Sequence, residues 1–454
     1  MDEERFEAVI VGAGMAGVAC AHALVEAGLK RVAILEEGAP LALTSDKSTE
    51  CYRNYWPGPD AAMLSFMQDS IAGLERHAVF SDDRFQLRQR GYLFATARDT
   101  EVERLAEEAG QVADFGGGSV RVNSSDYRRY LDANFDPAFD GADLITDKAL
   151  IARHFPYLTP ETRGVLHVRR CGALSAQQLG MYFLERAREG GARLIMGRFE
   201  GIETAAGRLA GVRYRNGSGD GFTVGADALV LAPGPHLKAA AAAAGAQLPV
   251  EVEKHVKISL GDPLGVIRRD APLIIWNDPT DLEWLGEERE MLAEAPETRW
   301  LTETLPAGVH GRPVGAGDQV LMYWTYHCEL FDEPQFPIEP DPFLPEVTLR
   351  GMAVMVPGLK AYLDPMPQPY VDGGYYTKTA DNRPLIGPLG VPGTFVCGAF
   401  SGYGIMASPA AGELLAAHVT GASLPAYADA FRRERFDDPG YVAGLAGLSV
   451  MAQL

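Results

Sequence analysis

Ala8-Val-Ile-Val-Gly-Ala-Gly-Met-Ala-Gly17 is the clearest indication of the fold in this 454-residue chain. Its apolar run, Val9 to Val11, is typical of a strand that is buried on both faces. Gly12, Gly14 and Gly17 follow in the spacing G-x-G-x-x-G. This spacing permits a tight turn, a close approach of the backbone to a pyrophosphate, and a helix packed against the sheet. The stretch therefore predicts a strand, a turn and a helix around a phosphate site.

The residues that follow complete a βαβ unit. The pattern from Met15 to Glu26 predicts a helix with one apolar face, and Gly28 ends it. Arg31-Val-Ala-Ile-Leu35 predicts a second buried strand, which ends at Glu36. A glycine-rich turn alone is weak evidence, but an acidic residue about 20 positions after the last glycine is where a ribose hydroxyl is bound. The whole unit predicts a dinucleotide site with phosphates at the helix N-terminus.

Composition limits the class of protein. A hydrophobic fraction of 47% and a charged fraction of 22% are ordinary for a globular chain, and the length predicts two domains. The net charge of −20 disfavours binding to nucleic acid and anionic lipid. The five cysteines are widely spaced without CxxC, and the nine histidines show no metal-ligand spacing. We expect a cytoplasmic protein with no signal peptide, membrane span or metal.

The nucleotide-binding pattern returns after residue 150, following a segment, 84–149, that does not repeat it. Ser175-Ala-Gln-Gln178 predicts a helix start, and Asn216-Gly217 predicts a hairpin. A buried strand then runs into Gly234. The sequence pattern changes between about 251 and 364, where apolar runs are short. Residues 281–295 predict an acidic amphipathic helix, which we interpret as a lid or an oligomer contact. These shifts predict an α/β fold with a second domain.

Two later motifs carry a family resemblance. They are Tyr376-Thr-Lys-Thr-Ala-Asp-Asn-Arg-Pro-Leu-Ile-Gly387 and Gly398-Ala-Phe-Ser-Gly-Tyr-Gly404. With the opening glycine motif, they make nearly the whole chain resemble the D-amino-acid oxidase/sarcosine oxidase (DAO) superfamily of FAD-dependent oxidoreductases. The resemblance implies a discontinuous Rossmann-like FAD-binding domain and a second α+β substrate domain on a mostly antiparallel sheet. The expected ranges are 1–83, 150–250 and 365–425 for the FAD-binding domain, 84–149 and 251–364 for the substrate domain, and 426–454 for a C-terminal tail.

The resemblance also implies how FAD is held. Non-covalent binding is expected, because Gly374 stands where a linking cysteine lies in monomeric sarcosine oxidases and the segment 44–49 has no linking histidine. The residues expected to contact FAD are Gly12, Gly14, Met15, Ala16, Gly17, Glu36, Glu37, Ser48, Thr49, Gly234, Gly398, Gly402, Tyr403, Gly404, Ile405 and Met406.

Substrate contacts follow from the same resemblance. Arg53 stands where sarcosine oxidases hold a substrate carboxylate, although a surface or phosphate-side arginine is the alternative. Met406 replaces a lysine that is often a second carboxylate ligand, and Tyr323 replaces the lysine that helps oxygen to accept electrons. His327 matches an active-site histidine, with a purely structural histidine as the alternative. The residues expected to act on the substrate are Arg53, Tyr323, His327, Tyr376 and Tyr403.

The implied reaction is FAD-dependent oxidation of a secondary amine, an N-methyl amine or a D-amino acid. A hydride leaves the carbon next to nitrogen for flavin N5, and the imine is then hydrolysed. The electron acceptor is O₂, a carrier protein or a quinone, and a homo-oligomer is left open. The alternatives are a 2-hydroxy-acid dehydrogenase of the same fold and a flavin-binding subunit of a larger dehydrogenase. NAD is disfavoured because no second G-x-G-x-x-G follows residue 150.

Overall fold

The structure, a computed structural model, describes residues 4–129, 131, 133–327 and 329–445. The strands are β1 (Arg5–Val11), β2 (Val32–Glu36), β3 (Cys51–Arg53), β4 (Tyr92–Thr96), β5 (Val120–Val122), β6 (Ala142–Ile145), β7 (Gly164–Val168), β8 (Cys171–Ala173), β9 (Arg193–Met196), β10 (Arg198–Ala205), β11 (Arg208–Arg215), β12 (Gly221–Leu231), β13 (Glu251–Gly261), β14 (Leu273–Trp276), β15 (Thr280–Asp281), β16 (Thr304–Leu305), β17 (His310–Pro313), β18 (Gln319–Tyr323), β19 (Glu329–Phe331), β20 (Tyr370–Lys378), β21 (Leu385–Pro388) and β22 (Thr394–Gly398). The helices are α1 (Met15–Glu26), α2 (Ala62–Phe80), α3 (Asp99–Asp114), α4 (Lys148–His154), α5 (Ala176–Glu189), α6 (Leu237–Ala243), α7 (Gly286–Glu294), α8 (Leu344–Met355), α9 (Gly404–Thr420) and α10 (Pro439–Leu445).

The first sheet has a parallel centre. Strands β9, β2, β1, β12 and β22 lie side by side and run parallel, while β21 pairs antiparallel with β22. The first half of β12 pairs antiparallel with β11, on either side of the predicted Asn216-Gly217 turn. Helices α1 and α9 pack closely together and α1 also packs on α5, which buries the apolar strands. The expected Rossmann-like α/β arrangement is confirmed.

The second sheet has ten strands and is called the roof below. Its order is β19-β13-β18-β17-β14-β4-β7-β6-β5, and β20 pairs with β13. Most pairs are antiparallel, while β14–β4 and β5–β6 are parallel. Since side chains alternate between the two faces of a strand, Glu253, His255 and Lys257 of β13 share one face. This row supplies polar groups to the site described below.

The expected domain boundaries stay a prediction, but two strands of the second sheet lie inside ranges expected for the FAD-binding domain. β7 pairs with β4 and β6, and β20 pairs with β13 over nine residues, so both belong to the second sheet. The boundaries at 150 and 365 place these strands with the FAD-binding segments. The motif from Tyr376 to Gly387 is continuous in sequence, yet it starts in one sheet and ends in the other. Sequence similarity along a motif does not show where the chain passes from one sheet to the other.

Two peripheral predictions differ in extent from the structure. The helix expected over 281–295 is the shorter α7, which has no buried residue. The described part of the tail from 426 contains short 3₁₀ turns and α10, and residues 446–454 lie outside the described chain. Arg435 in this tail forms a buried ion pair with Asp381, which follows β20, at 2.7 Å.

Candidate active site

The opening turn is built as the glycine spacing predicts. Gly12 has φ +99°, and a Cβ there would lie 2.6 Å from the carbonyl oxygen of Ala232. A Cβ on Gly17 would lie 1.8 Å from the carbonyl oxygen of Gly12. A Cβ on Gly14 would meet only the hydroxyl of Ser45, at 3.4 Å. Gly12 and Gly17 therefore allow α1 to pack against the turn, while Gly14 leaves room beside the helix N-terminus.

A cavity of about 350 Å³ lies at the N-terminus of α1. Glu36 stands at its edge, where its carboxylate accepts hydrogen bonds from the N–H groups of Ala13, at 2.7 Å, and Gly38, at 2.8 Å. The predicted FAD contacts that line this cavity are Gly12, Gly14, Met15, Ala16, Glu36, Glu37, Ser48, Gly234, Gly398, Gly402, Gly404 and Ile405. A glycine-lined helix N-terminus for phosphates and an acid for a ribose fit an adenine dinucleotide.

A second cavity of about 320 Å³ adjoins the first and extends under the second sheet. Four residues line both cavities, namely Ser48, Tyr376, Ser401 and Gly402. The other predicted residues in the wall of the second cavity are Thr49, Arg53, Tyr323, Tyr403 and Met406. The fold thus brings all predicted site residues to one of the two cavities except Gly17, which packs α1, and His327.

Arg53 is a buried cation in the wall of the second cavity. It ends the short strand β3, which pairs with β8, and its exposed fraction is 6%. Its guanidinium carbon lies 4.5 Å from the centre of the Trp56 ring, and its Nε has no hydrogen-bond partner. Burial lowers the pKa of Arg53, since no described carboxylate pairs with it. Arg53 is therefore not a surface arginine. Its guanidinium is available to an anion in the cavity.

A polar chain crosses the roof of the second cavity. His255 Nδ1 and the Tyr323 hydroxyl share a very short hydrogen bond, and the Tyr323 hydroxyl lies near that of Tyr376. The imidazole of His255 stacks on the Tyr376 ring, with centroids 3.8 Å apart. On its other side, Nε2 of His255 lies 2.6 Å from Glu253 Oε1, a contact too poorly aligned to count as a hydrogen bond. Lys378 Nζ donates to Glu253 Oε2 at 2.8 Å.

The charges of this chain follow from its burial. Burial alone raises the pKa of Glu253, but His255 and Lys378 outweigh it and lower that pKa to about 2. Burial lowers the pKa of His255 more than Glu253 raises it, and burial raises the pKa of Tyr376 to about 12. At neutral pH Glu253 is therefore a carboxylate, while His255 and Tyr376 are neutral.

A second histidine, His310, also lines this cavity. Its Nδ1 lies 2.9 Å from the carbonyl oxygen of Gly308, and its ring meets the Tyr323 ring edge-on at 4.9 Å. Burial lowers the pKa of His310 to about 4. Sequence reasoning missed His255, His310, Glu253 and Lys378. The alternation Glu253-x-His255-x-Lys257 within a strand pattern is the signal that marks a polar face for one row of them.

The structure does not bring His327 to the site. His327 is exposed, its ring lies 6.4 Å from that of Trp300, and it lines neither cavity. Strand β18 ends at Tyr323, so residues four positions later have left the sheet. His255, on the neighbouring strand, supplies the buried imidazole instead.

No described helix is both long and apolar enough to cross a bilayer. The described residues also contain no group of three or more His, Cys, Asp or Glu side chains placed to hold a metal ion.

Comparison with known proteins agrees with this geometry. Residues 7–418 match the family described as FAD dependent oxidoreductase, DAO. Among solved structures, L-proline dehydrogenase from P. horikoshii is 20% identical with a TM-score of 0.73, covering 96% of this chain and 98% of its own. Glycine oxidase from Geobacillus kaustophilus is 17% identical with a TM-score of 0.71, covering 95% and 98%.

A third solved structure comes from an enzyme named for a different kind of substrate. L-alpha-glycerophosphate oxidase from Mycoplasma pneumoniae, with FAD bound, is 14% identical with a TM-score of 0.66, and the match covers 92% of this chain and 95% of that one. A comparison with curated proteins gave no match. At these identities the solved structures establish the fold alone.

Proposed function

The chain belongs to the DAO family of FAD-dependent oxidoreductases, and we propose that it oxidises an amine that carries a carboxylate. The bond oxidised is that between the nitrogen and its neighbouring carbon, in a secondary amine, an N-methyl amine or a D-amino acid. The observation that supports this substrate is Arg53. A buried guanidinium without an acidic partner is costly, and a substrate carboxylate supplies the missing partner through two parallel hydrogen bonds.

The two cavities support a proposed position for FAD. The N-terminus of α1 and Glu36 would hold the dinucleotide part, while Ser48, Tyr376 and Gly402 would hold the ring at the shared wall. Bound FAD supplies the two-electron acceptor of the reaction. The long helix α9 begins at Gly404 beside this wall, and its N-terminus favours negative charge there.

The cavity favours a substrate with an apolar remainder. Arg53 is the one described guanidinium in its wall, and Met406 stands where a second cationic clamp is common in the resembling enzymes. Leu273, Ile275 and Leu330 complete the wall on the side of the second sheet. The single clamp fixes the carboxylate, and apolar burial of the side chain supplies the rest of the binding free energy.

The charges in the wall of the second cavity support a proposal about the electron acceptor. Tyr323 replaces the lysine that assists oxygen, and its neutral hydroxyl, which is bonded to His255, brings no positive charge. Lys378 also lines the cavity, but Glu253 neutralises it at 2.8 Å. With little free positive charge to stabilise superoxide, we propose that a carrier protein or quinone accepts electrons faster than O₂. Turnover in air, compared with turnover with an artificial quinone in the absence of air, tests this directly.

Anaerobic bleaching of the flavin absorbance tests the proposed substrate class. A panel of sarcosine, L-proline, N-methylated amino acids, D-amino acids and 2-hydroxy acids is mixed with the holoenzyme. We expect reduction by one or more of the amines and none by the hydroxy acids. Bleaching by hydroxy acids alone identifies the 2-hydroxy-acid dehydrogenase alternative. Bleaching by dithionite alone identifies a flavin-binding subunit that depends on a partner chain.

A further inference from the structure

Beside Arg53 the second cavity contains a set of buried groups that binding of the carboxylate does not use. The Tyr323 hydroxyl lies in the cavity wall, bonded to His255, and Glu253 lies behind that imidazole. All three residues are nearly inaccessible, with exposed fractions of 6%, 6% and 4% respectively. Amino acids in water carry their nitrogen as an ammonium, which has no electron pair with which to assist loss of hydride. An enzyme that oxidises them needs a route for that proton.

We infer that Tyr323 and His255 form a proton relay that accepts the ammonium proton of the bound substrate. An N–H bond of the ammonium breaks and its proton goes to the Tyr323 oxygen, while the original Tyr323 proton passes to Nδ1 of His255. The substrate becomes a neutral amine and His255 becomes an imidazolium. No electron is transferred in this step, and the total charge of the site is unchanged. The inference rests on the proposed amine oxidation.

The contacts around His255 suit this role. With the resting proton on Nε2, toward Glu253 Oε1 at 2.6 Å, Nδ1 is the acceptor that faces Tyr323. When the imidazole gains its second proton, the carboxylate of Glu253 offsets part of the cost of burying the charge. Lys378 holds the other oxygen of Glu253 and so fixes the carboxylate in place. Glu253 and Lys378 thus act as positioning residues for the imidazole.

His310 is a poorer acceptor, although it lines the same cavity. Its Nδ1 bonds the carbonyl of Gly308, and no described carboxylate contacts its ring. A proton on His310 therefore has no compensating charge and lies in the field of Arg53. The observations favour His255 as the acceptor.

Several titratable groups lie near this pair, on β13 itself and on β20, β17 and β3. They are Glu253 and Lys257 of β13, Tyr376, Lys378 and Asp372 of β20, His310 of β17 and Cys51 of β3. Lys257 is engaged by Asp372, at 3.2 Å, and by the carbonyl of Lys47, at 2.9 Å. Of these groups, Glu253 is the one in contact with the Nε2 side of His255.

The test measures the rate of anaerobic flavin reduction from pH 6 to pH 10 in Tyr323→Phe and His255→Gln. The probe is the amine of the panel that reduces the wild type fastest. We expect a rate about 100-fold lower at pH 7, the lower end of what general acid–base catalysis contributes. The rate of the variants then rises tenfold per pH unit and approaches that of the wild type near the pKa of the free amine, because the substrate now loses its proton in solution. A loss by the same factor at every pH overturns the relay, since only damaged packing acts in that way.

Matched controls and a second measurement keep the test decisive. Tyr326 and His327 lie outside the cavity and close in sequence to Tyr323. We therefore expect Tyr326→Phe and His327→Gln to keep the wild-type dependence of the reduction rate on pH. If His255→Gln does not fold, Tyr323→Phe carries the test alone. Nitrogen NMR of the histidine rings in the substrate-free holoenzyme is expected to show His255 neutral at pH 7 with its proton on Nε2, and a proton on Nδ1 there overturns the proposal. A wild type that no amine reduces at any pH contradicts the proposed function instead.

Discussion

The guanidinium of Arg312 donates two hydrogen bonds to the carbonyl oxygen of Thr49, from Nε at 3.0 Å and from Nη2 at 2.7 Å. Arg312 belongs to β17 in the second sheet, whereas Thr49 belongs to the segment that crosses between the two cavities. The same guanidinium lies 3.4 Å from Glu50 Oε2. One buried cation from the roof thus holds the loop whose residues Ser48 and Thr49 are expected to contact FAD.

Substitution of this arginine tests whether the loop must be held for FAD to bind. In Arg312→Lys the fork that grips Thr49 is lost, because a lysine cannot donate two parallel bonds to one oxygen. We expect FAD affinity to fall about tenfold, near the lower end of what a charged hydrogen bond contributes. Titration of flavin-depleted protein with FAD measures the change. Arg269→Lys is the matched control, since Arg269 donates to the carbonyls of Val314 and Gln319 outside both cavities. An equal loss in both variants contradicts a role specific to the loop.

Arg53 is expected to lower the free energy of unfolding and to raise the affinity for substrate. In Arg53→Met a buried cation without an acidic partner is replaced by an apolar chain, so the free energy of unfolding rises, by about 1 kcal/mol or more. Substrate affinity falls about 100-fold, because a bidentate charged contact is lost. Chemical denaturation and the substrate dependence of flavin reduction measure the two effects.

A second buried arginine supplies the contrast for that experiment. Arg169 is paired with Asp143 at 2.5 Å, and their side chains are 2% and 3% exposed. Arg169→Met leaves the carboxylate with less compensation, and we expect it to lower the free energy of unfolding by about 3 kcal/mol. If Arg53→Met lowers stability as Arg169→Met does, Arg53 is a structural residue and its assignment to the substrate fails.

The glycines of the opening turn are expected to differ in effect. Gly17→Ala places a methyl group 1.8 Å from the carbonyl oxygen of Gly12, so α1 must move away and the protein is strongly destabilised. Gly14→Ala meets only the Ser45 hydroxyl, at 3.4 Å, so the protein folds, but the methyl group occupies space beside the phosphate site. Thermal melting and the flavin content after purification separate the two. A flavin-free but unfolded Gly14→Ala protein contradicts this assignment.

His77 is expected to make stability depend on pH far from the active site. Burial, with the neighbouring His22, lowers the pKa of His77 to about 3. The unfolded chain, where a histidine titrates near about 6.5, binds the proton first, so stability is complete above that pH and falls as the pH drops toward 3. The expected slope is about 1.4 kcal/mol per pH unit. Denaturation of His77→Phe between pH 7 and 4 is expected to show a shallower slope than that of the wild type, and an unchanged slope contradicts the role of His77.

The opening βαβ unit was predictable from sequence, because its determinants are local. The strand from Val9 to Val11, the three glycines and Glu36 are defined by spacing within one βαβ unit, and the structure places them as expected. The family resemblance also pointed to Arg53 and Tyr376, which both line the second cavity. His327 was misplaced because a sequence match does not show where strand β18 ends.

The Rossmann-like unit is encoded in a short stretch of the amino-acid sequence, since backbone conformation at glycine and the period of apolar residues act over a few positions. The chemistry of the second sheet, in contrast, depends on contacts between distant segments. Glu253, His255, Tyr323 and Lys378 come from three strands, and their contacts depend on the register in which β13 pairs with β18 and β20. A shift of one residue would turn these side chains to the opposite face, and burial, which sets their charges, exists only once both sheets have closed over the cavity.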